Sequence, residues 1–194
     1  MIAYIEGLLA EKTPTYVIID NNGIGYKVNI SLNTYTKINS YTSCKLLTYL
    51  SIKEDSHTLY GFAEESERRL FLNLISVSGV GNNTALLILS SLTTEEVAQA
   101  IVSENVKLLQ GIKGIGSKTA QRLIVDLKDK LGKDITLREA APNIGSTIRT
   151  EALSALTSLG FSKVSVEKTL DNIIRKGPSI STVEDLIKMA LKNL

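Results

Sequence analysis

The first 62 residues alternate apolar and polar positions in short runs with the period of strands. Ile2–Gly7, Thr15–Asp20, Gly25–Ile30, Cys44–Ile52 and Thr58–Phe62 are short and rich in β-branched or aromatic residues. Asn21-Asn22-Gly23 marks a tight turn between two of them. With no helical stretch expected in this region, the pattern predicts a small closed barrel over residues 1–63.

Beyond Ala63 the spacing becomes helical. Leu70, Phe71, Leu74 and Ile75 fall on one helical face. Thr93 with Glu96 forms a capping box that opens a helix through Ile101. A further helix, Thr119–Leu131, places Ala120, Leu123, Ile124, Leu127 and Leu131 inward, and Gly132 reads as its stop. Residues 64–132 are therefore expected to be an all-α domain. Residues 133–147, with Pro142 and Gly145, lose the period and read as a short, mobile linker. Three amphipathic helices follow over residues 148–194. They are read as Ile148–Leu159 ending at Gly160, Val166–Arg175 capped by Ser165 and ending at Gly177, and Thr182–Leu194 opened by Ser181 with Glu184. The fold class is α+β and multidomain.

Composition narrows the function. No apolar run reaches the roughly 20 residues that span a bilayer, and the first residues lack a basic start with a long apolar core, so a cytoplasmic protein is expected. Cys44 and His57 are each the only one of their kind, which leaves no disulfide framework, zinc triad or cofactor site and little scope for nucleophile–histidine catalysis. They read as a buried thiol and a surface imidazole. No phosphate-loop motif is present, so any ATP-driven work would fall to another chain. Residues 1–65 carry net −2, residues 66–133 net +3 and residues 134–194 net +1, which points any nucleic-acid contact to the middle third.

That third contains a repeat. Ser76–Ala85 and Gly111–Ala120 align without gaps at a separation of 35 residues and share Gly-x-Gly-x-x-Thr-Ala. The glycines Gly79, Gly81, Gly114 and Gly116 permit a tight hairpin that turns the unpaired N–H groups of the following helix outward. Those donors and the helix dipole make a site for phosphate. Val80 and Ile115 should pin each hairpin to the core, while Lys118 and Arg122 add charge on the exposed side. Such a site grips backbone without reading bases. The copies differ, because the second helix carries Lys118, Arg122, Lys128 and Lys130 whereas Asn83–Leu89 is nearly all apolar. The second is expected to supply more of the salt-dependent affinity.

The paired helix-hairpin-helix motifs behind a small barrel resemble the RuvA family of Holliday-junction-binding proteins along the whole chain. The likeness includes Met1-Ile2, Ile5, Gly7, Gly23-x-Gly25-Tyr26-x-Val28, Glu54-Asp55, Tyr60-Gly61-Phe62, and both hairpins through Thr119-Ala120-x-Arg122 to Lys128-Asp129. The resemblance implies an OB-fold barrel, a tandem hairpin domain and a C-terminal three-helix domain that binds the RuvB ATPase. It implies a homotetramer, or an octamer on the junction, that holds the four arms open and planar, with the RuvC resolvase in the same complex. It makes Glu54 and Asp55 an acidic pin at the junction centre, and Gly79, Gly81, Asn83, Gly114, Gly116, Lys118, Thr119 and Arg122 the backbone contacts. Many family members carry a Pro-Lys pair where this chain has Asn82-Asn83, so Asn83 offers a hydrogen bond and no charge.

Two rival readings stay open at this point. A helix-hairpin-helix glycosylase would need a catalytic aspartate beyond the second hairpin; Asp126 and Asp134 are the candidates, and neither lies in a pocket-forming segment. A general interaction scaffold would use residues 148–194, whose helix-Leu159-Gly160-Phe161-helix arrangement resembles ubiquitin-associated domains.

Overall fold

The computed structural model describes residues 1–139, 144–176 and 182–194. Five strands, β1 (Tyr4–Lys12), β2 (Tyr16–Asn21), β3 (Ile24–Ile30), β4 (Ser43–Ile52) and β5 (His57–Phe62), close into a barrel in the order β1-β2-β3-β5-β4. All neighbours are antiparallel except β3 with β5. The β2–β3 turn is tight because Asn22 (φ 52°) and Gly23 (φ 86°) both take positive φ, as a two-residue hairpin turn demands. The Asp20 side chain accepts the Gly23 N–H at 2.7 Å. A bulge between Leu9 and Glu11 bends β1, which pairs with β4 along its first half and with β2 along its second.

One helix lies where none was expected. Helix α1 (Leu32–Ile38) links β3 to β4, capped by Ser31, whose hydroxyl accepts the Thr34 N–H. Its seven residues bury only Thr34 and Ile38, too few to show a helical period. The aromatic and β-branched Tyr35, Thr36 and Ile38 also argue weakly for a helix. Tertiary contacts hold it instead. Glu67, 2% exposed, accepts hydrogen bonds from the hydroxyls of Ser31 and Thr34, and the Thr34 Oγ1 accepts the Ala63 N–H at 3.2 Å.

Burial pushes the Glu67 carboxyl up from its ordinary value, against the hydrogen bonds from Ser31 and Thr34 and the nearby Lys37, which pull it down; Glu64 adds to the rise. A carboxylate whose folded pKa is raised binds its proton more tightly when folded, so stability falls as pH climbs above the ordinary value. Glu67→Gln removes that titration. The fall in Tm from pH 4.5, the ordinary value, to neutrality is expected to flatten; a melting series with an unchanged slope would contradict the assignment.

Helices α2 (Glu65–Ile75), α3 (Asn82–Ser91), α4 (Thr94–Val102), α5 (Val106–Gln110) and α6 (Ser117–Glu139) follow. The box opening α4 forms as its sequence indicates. The Thr93 hydroxyl accepts the Glu96 N–H, and the Glu96 carboxylate accepts the Thr93 N–H. The barrel keeps its own core of Ile5, Val17, Ile19, Val28, Ile30 and Leu46, and its β4–β5 side joins the core of the helices. Tyr49, Tyr60 and Phe62 surround Phe71 at ring-centroid separations of 5.6, 5.3 and 4.9 Å, and Leu74, Val77, Ile88, Leu89, Leu123 and Leu127 continue the cluster. Residues 1–135 accordingly form one compact unit.

The expected break after Leu131 does not occur. Helix α6 runs through Gly132, which takes no left-handed turn, to Glu139, and the next helix begins at Ile144. Residues 133–139 and 144–147, expected without helical period, are helical; 140–143 lie outside the described residues. A glycine inside a helix costs about 1 kcal/mol relative to alanine, too little to end a long one without a competing cap or proline. Pro142 comes ten residues later.

The second unit, residues 136–194, contains α7 (Ile144–Ser158), α8 (Lys163–Lys176) and α9 (Val183–Leu191) around Ala152, Leu156, Val166, Leu170, Leu186 and Ala190. Gly160 (φ 97°) ends α7, and Phe161 N–H returns to Leu156 O at 3.2 Å. Ser162, not Ser165, caps α8 by accepting the Ser165 N–H. Thr182 caps α9 by accepting the Asp185 N–H. The stop read at Gly177 and the cap read at Ser181 lie outside the described residues.

Candidate nucleic-acid interface

The sequence repeat is also a repeat of conformation. In the first hairpin Val77 N–H bonds Leu74 O and Val80 N–H bonds Val77 O; in the second, Ile112 and Ile115 make the same pair of bonds to Leu109 and Ile112. Gly79 has φ 93° and Gly114 has φ 90°. Val80 and Ile115 are each 5% exposed and anchor the turns in the core. Ala85 N–H to Gly81 O and Ala120 N–H to Gly116 O, both 2.9 Å, close the first turn of α3 and α6.

The glycines have separate reasons. At Gly79 and Gly114 the positive φ excludes ordinary side chains, although a Cβ would meet nothing. Gly81 and Gly116 have neither a positive φ nor a neighbour within 4 Å, so what a side chain would occupy there is open surface. Gly81 is the N-cap of α3 and supplies no side-chain bond. No side chain at Gly81 caps the first turn of α3, which leaves that turn's N–H groups uncapped at this position, as a phosphate cradle requires.

The cations around this surface are unequal. Lys118 is exposed on the first turn of α6. Arg122 is exposed too, but its Nη1 donates to Ser78 O at 3.1 Å, so it ties the second hairpin's helix to the first hairpin. Lys128 is spent differently from the sequence expectation. It pairs with Glu104 at 2.5 Å, and each ion holds the other in its charged form, the Glu104 carboxyl shifted down and the Lys128 ammonium up. Lys113, exposed beside Gly114, is a further cation on the turn itself, a position that the repeat's spacing marks. Thr119 is half-buried one residue after Lys118.

The asparagine pair faces the barrel. Asn82 Nδ2 donates to Ser51 Oγ at 2.8 Å, and Tyr60 OH donates to Asn83 Oδ1 at 3.3 Å. Asn83 is exposed, yet its carbonyl is engaged with protein. Glu54 and Asp55 stand exposed at the tip of the β4–β5 hairpin, closed by Lys53 N–H to Ser56 O at 2.8 Å. Ser56 Oγ donates to Asp55 Oδ1 at 3.3 Å. Cys44 is half-buried, its thiol pushed up by desolvation, and His57 is exposed beside the tip. Asp126 is exposed on α6 rather than set in a pocket, and Asp134 is outside the side chains described. No single helix among the described residues is long and apolar enough to cross a membrane.

Barrel, paired hairpins and three-helix unit define a class, the tandem helix-hairpin-helix proteins with an N-terminal OB-type barrel. Residues 1–61 match the RuvA N-terminal domain, residues 71–129 the SAM-like helix-hairpin-helix tandem, and residues 147–194 the RuvA C-terminal domain. The chain is 53% identical to the Holliday junction branch migration complex subunit RuvA of Christiangramia forsetii over the whole of both chains. It is 50% identical to the same subunit from Cytophaga hutchinsonii over 99% of each chain, and 48% identical to that of Bacteroides fragilis over all of both. The chain belongs to the RuvA family.

If Lys118 meets a phosphate, removing its charge releases one counterion fewer on binding. Lys118→Ala is expected to lower the slope of log affinity against log salt by about one unit. A salt titration with an unchanged slope would take Lys118 out of the interface.

Proposed function

We propose that this protein binds four-way DNA junctions by their structure, as a homotetramer that holds them open and planar, and delivers the RuvB ATPase for branch migration. The observation that carries the reading is the conformational repeat: two glycine hairpins, each opening a helix, in the same compact unit as the acidic tip. The backbone contacts are Gly79, Gly81, Asn83, Gly114, Gly116, Lys118, Thr119 and Arg122. Asn83 contributes through its amide donor, because its carbonyl is taken by Tyr60. Arg122 keeps donors beyond the one given to Ser78, since a guanidinium carries five N–H groups.

Four copies around a junction bring two carboxylates each, Glu54 and Asp55, to the crossover. They repel continuous duplex and favour parted strands. Residues 148–194 dock RuvB, and RuvC joins the same assembly, in which two tetramers can face one junction. ATP hydrolysis belongs to RuvB; this chain supplies recognition in the cytoplasm, with no cofactor of its own.

A gel-shift with a four-way junction tests the reading. Bound junction should persist against excess linear duplex. Displacement in proportion to the duplex added would reject it.

A further inference from the structure

The distal end of the β4–β5 hairpin is supported by no other strand. Pairing of β4 with β1 stops at Leu47, and pairing of β5 with β3 begins only at Leu59. The pairs Ser51↔Thr58 and Ile52↔His57 therefore extend beyond both neighbours as a two-stranded ribbon, with Glu54 and Asp55 at its end. Such a ribbon is marginal by itself and needs something to hold its direction.

That support comes from the first glycine hairpin. Ser51, a polar residue only 9% exposed, accepts the Asn82 side-chain amide at 2.8 Å. Asn82 is the first residue of α3, immediately after Gly81. Two residues back along the same face, Tyr49 packs on Phe71, and its cross-strand partner Tyr60 reaches Asn83. The polar link lies nearest the tip, in a setting where an unpaired Ser51 hydroxyl or Asn82 amide would lose its partner.

We propose that Asn82 and Ser51 form a strut that fixes the acidic tip relative to the first phosphate site, making Asn82 a positioning residue for junction specificity. The proposal rests on the reading of Glu54 and Asp55 as the selective element. A tip free to swing would repel duplex less consistently. The grip on phosphate, which comes from backbone N–H groups and from Lys118, would be unaltered.

The test is hydrogen exchange of the ribbon amides, residues 51–58, in the full-length protein, alongside junction and duplex binding. Ser51→Ala should speed exchange there by about two- to tenfold, the range of one lost hydrogen bond. Asn82→Ala should match it, and the double variant should add nothing further. Junction-over-duplex preference should fall by a similar factor in Ser51→Ala, through tighter linear-duplex binding, with junction affinity unchanged. Wild-type exchange rates, or additive single variants, would overturn the strut whatever the DNA shows. A loosened ribbon with unaltered preference would overturn the positioning role, provided that Glu54→Gln with Asp55→Asn does change the preference. If that pair also leaves it unchanged, the reading of the acidic tip has failed and takes the positioning role with it.

Discussion

Changing Glu54 to Gln and Asp55 to Asn together is expected to tighten binding to plain duplex while leaving junction binding in place. Both side chains are exposed at the end of a ribbon, so the substitution removes charge without opening a core. A carboxylate 4 Å from a phosphate costs roughly 1 kcal/mol in water and about 4 kcal/mol at an effective dielectric of 20. A DNA-covered surface lies between those limits, and each 1.4 kcal/mol is about a factor of ten in affinity. Duplex affinity should rise by at least about tenfold, and junction-over-duplex preference should fall by the same factor. Competition gel-shifts measure both. A double variant that keeps the wild-type preference would show that selectivity comes from elsewhere, with symmetry of the assembly the remaining source.

The second large effect is expected from truncation. A chain ending at residue 147 should bind four-way junctions as the full chain does but fail to stimulate RuvB. The hairpins and the acidic tip all lie within residues 1–135, so truncation removes none of the packing within that unit. What is lost is a small three-helix unit with its own core. Leu159, Phe161 and Val164 lie where α7 passes to α8, and Leu159 and Val164 are both 64% exposed, large apolar area for so small a unit to leave in water. An ATPase assay with RuvB and junction DNA reads the outcome. Loss of junction binding along with stimulation would mean that the two functions are not separable.

Much of this was legible in the sequence because short-range chemistry dictated it. Asn22-Gly23 requires positive φ, Thr93 with Glu96 closes a reciprocal cap, and two glycines at fixed spacing build the same turn twice; each is local and each formed. Elements fixed by distant partners were not legible. Helix α1 depends on Glu67, more than thirty positions away, so nothing within its own seven residues announced it. Gly132 has the look of a stop because a glycine after an apolar run often is one, yet the helix continues through it. The cap of α8 was not legible because Ser162 and Ser165 are equally good caps on paper.

The candidate site divides along the same line. The glycines, Lys118 and the acidic pair were identified as residue types at the right spacing, and the structure places them as exposed groups on hairpins and a tip. Pairings across the fold changed the roles of others. Lys128 is engaged by Glu104, Arg122 reaches back to Ser78, and Asn82 turns toward Ser51. None of these partners is near in sequence, so a count of charges along the second helix does not reveal that Lys128 is paired, nor does the asparagine pair reveal that Asn82 faces Ser51.

On the proposed function, DNA structure rather than sequence selects where this protein binds. The most direct measurement is the ratio of its affinities for an immobile four-way junction and for linear duplex of equal length, taken at several salt concentrations. A strong junction preference that persists as salt rises, although both affinities fall, is expected. Equal affinities, falling together with the same salt slope, would contradict it.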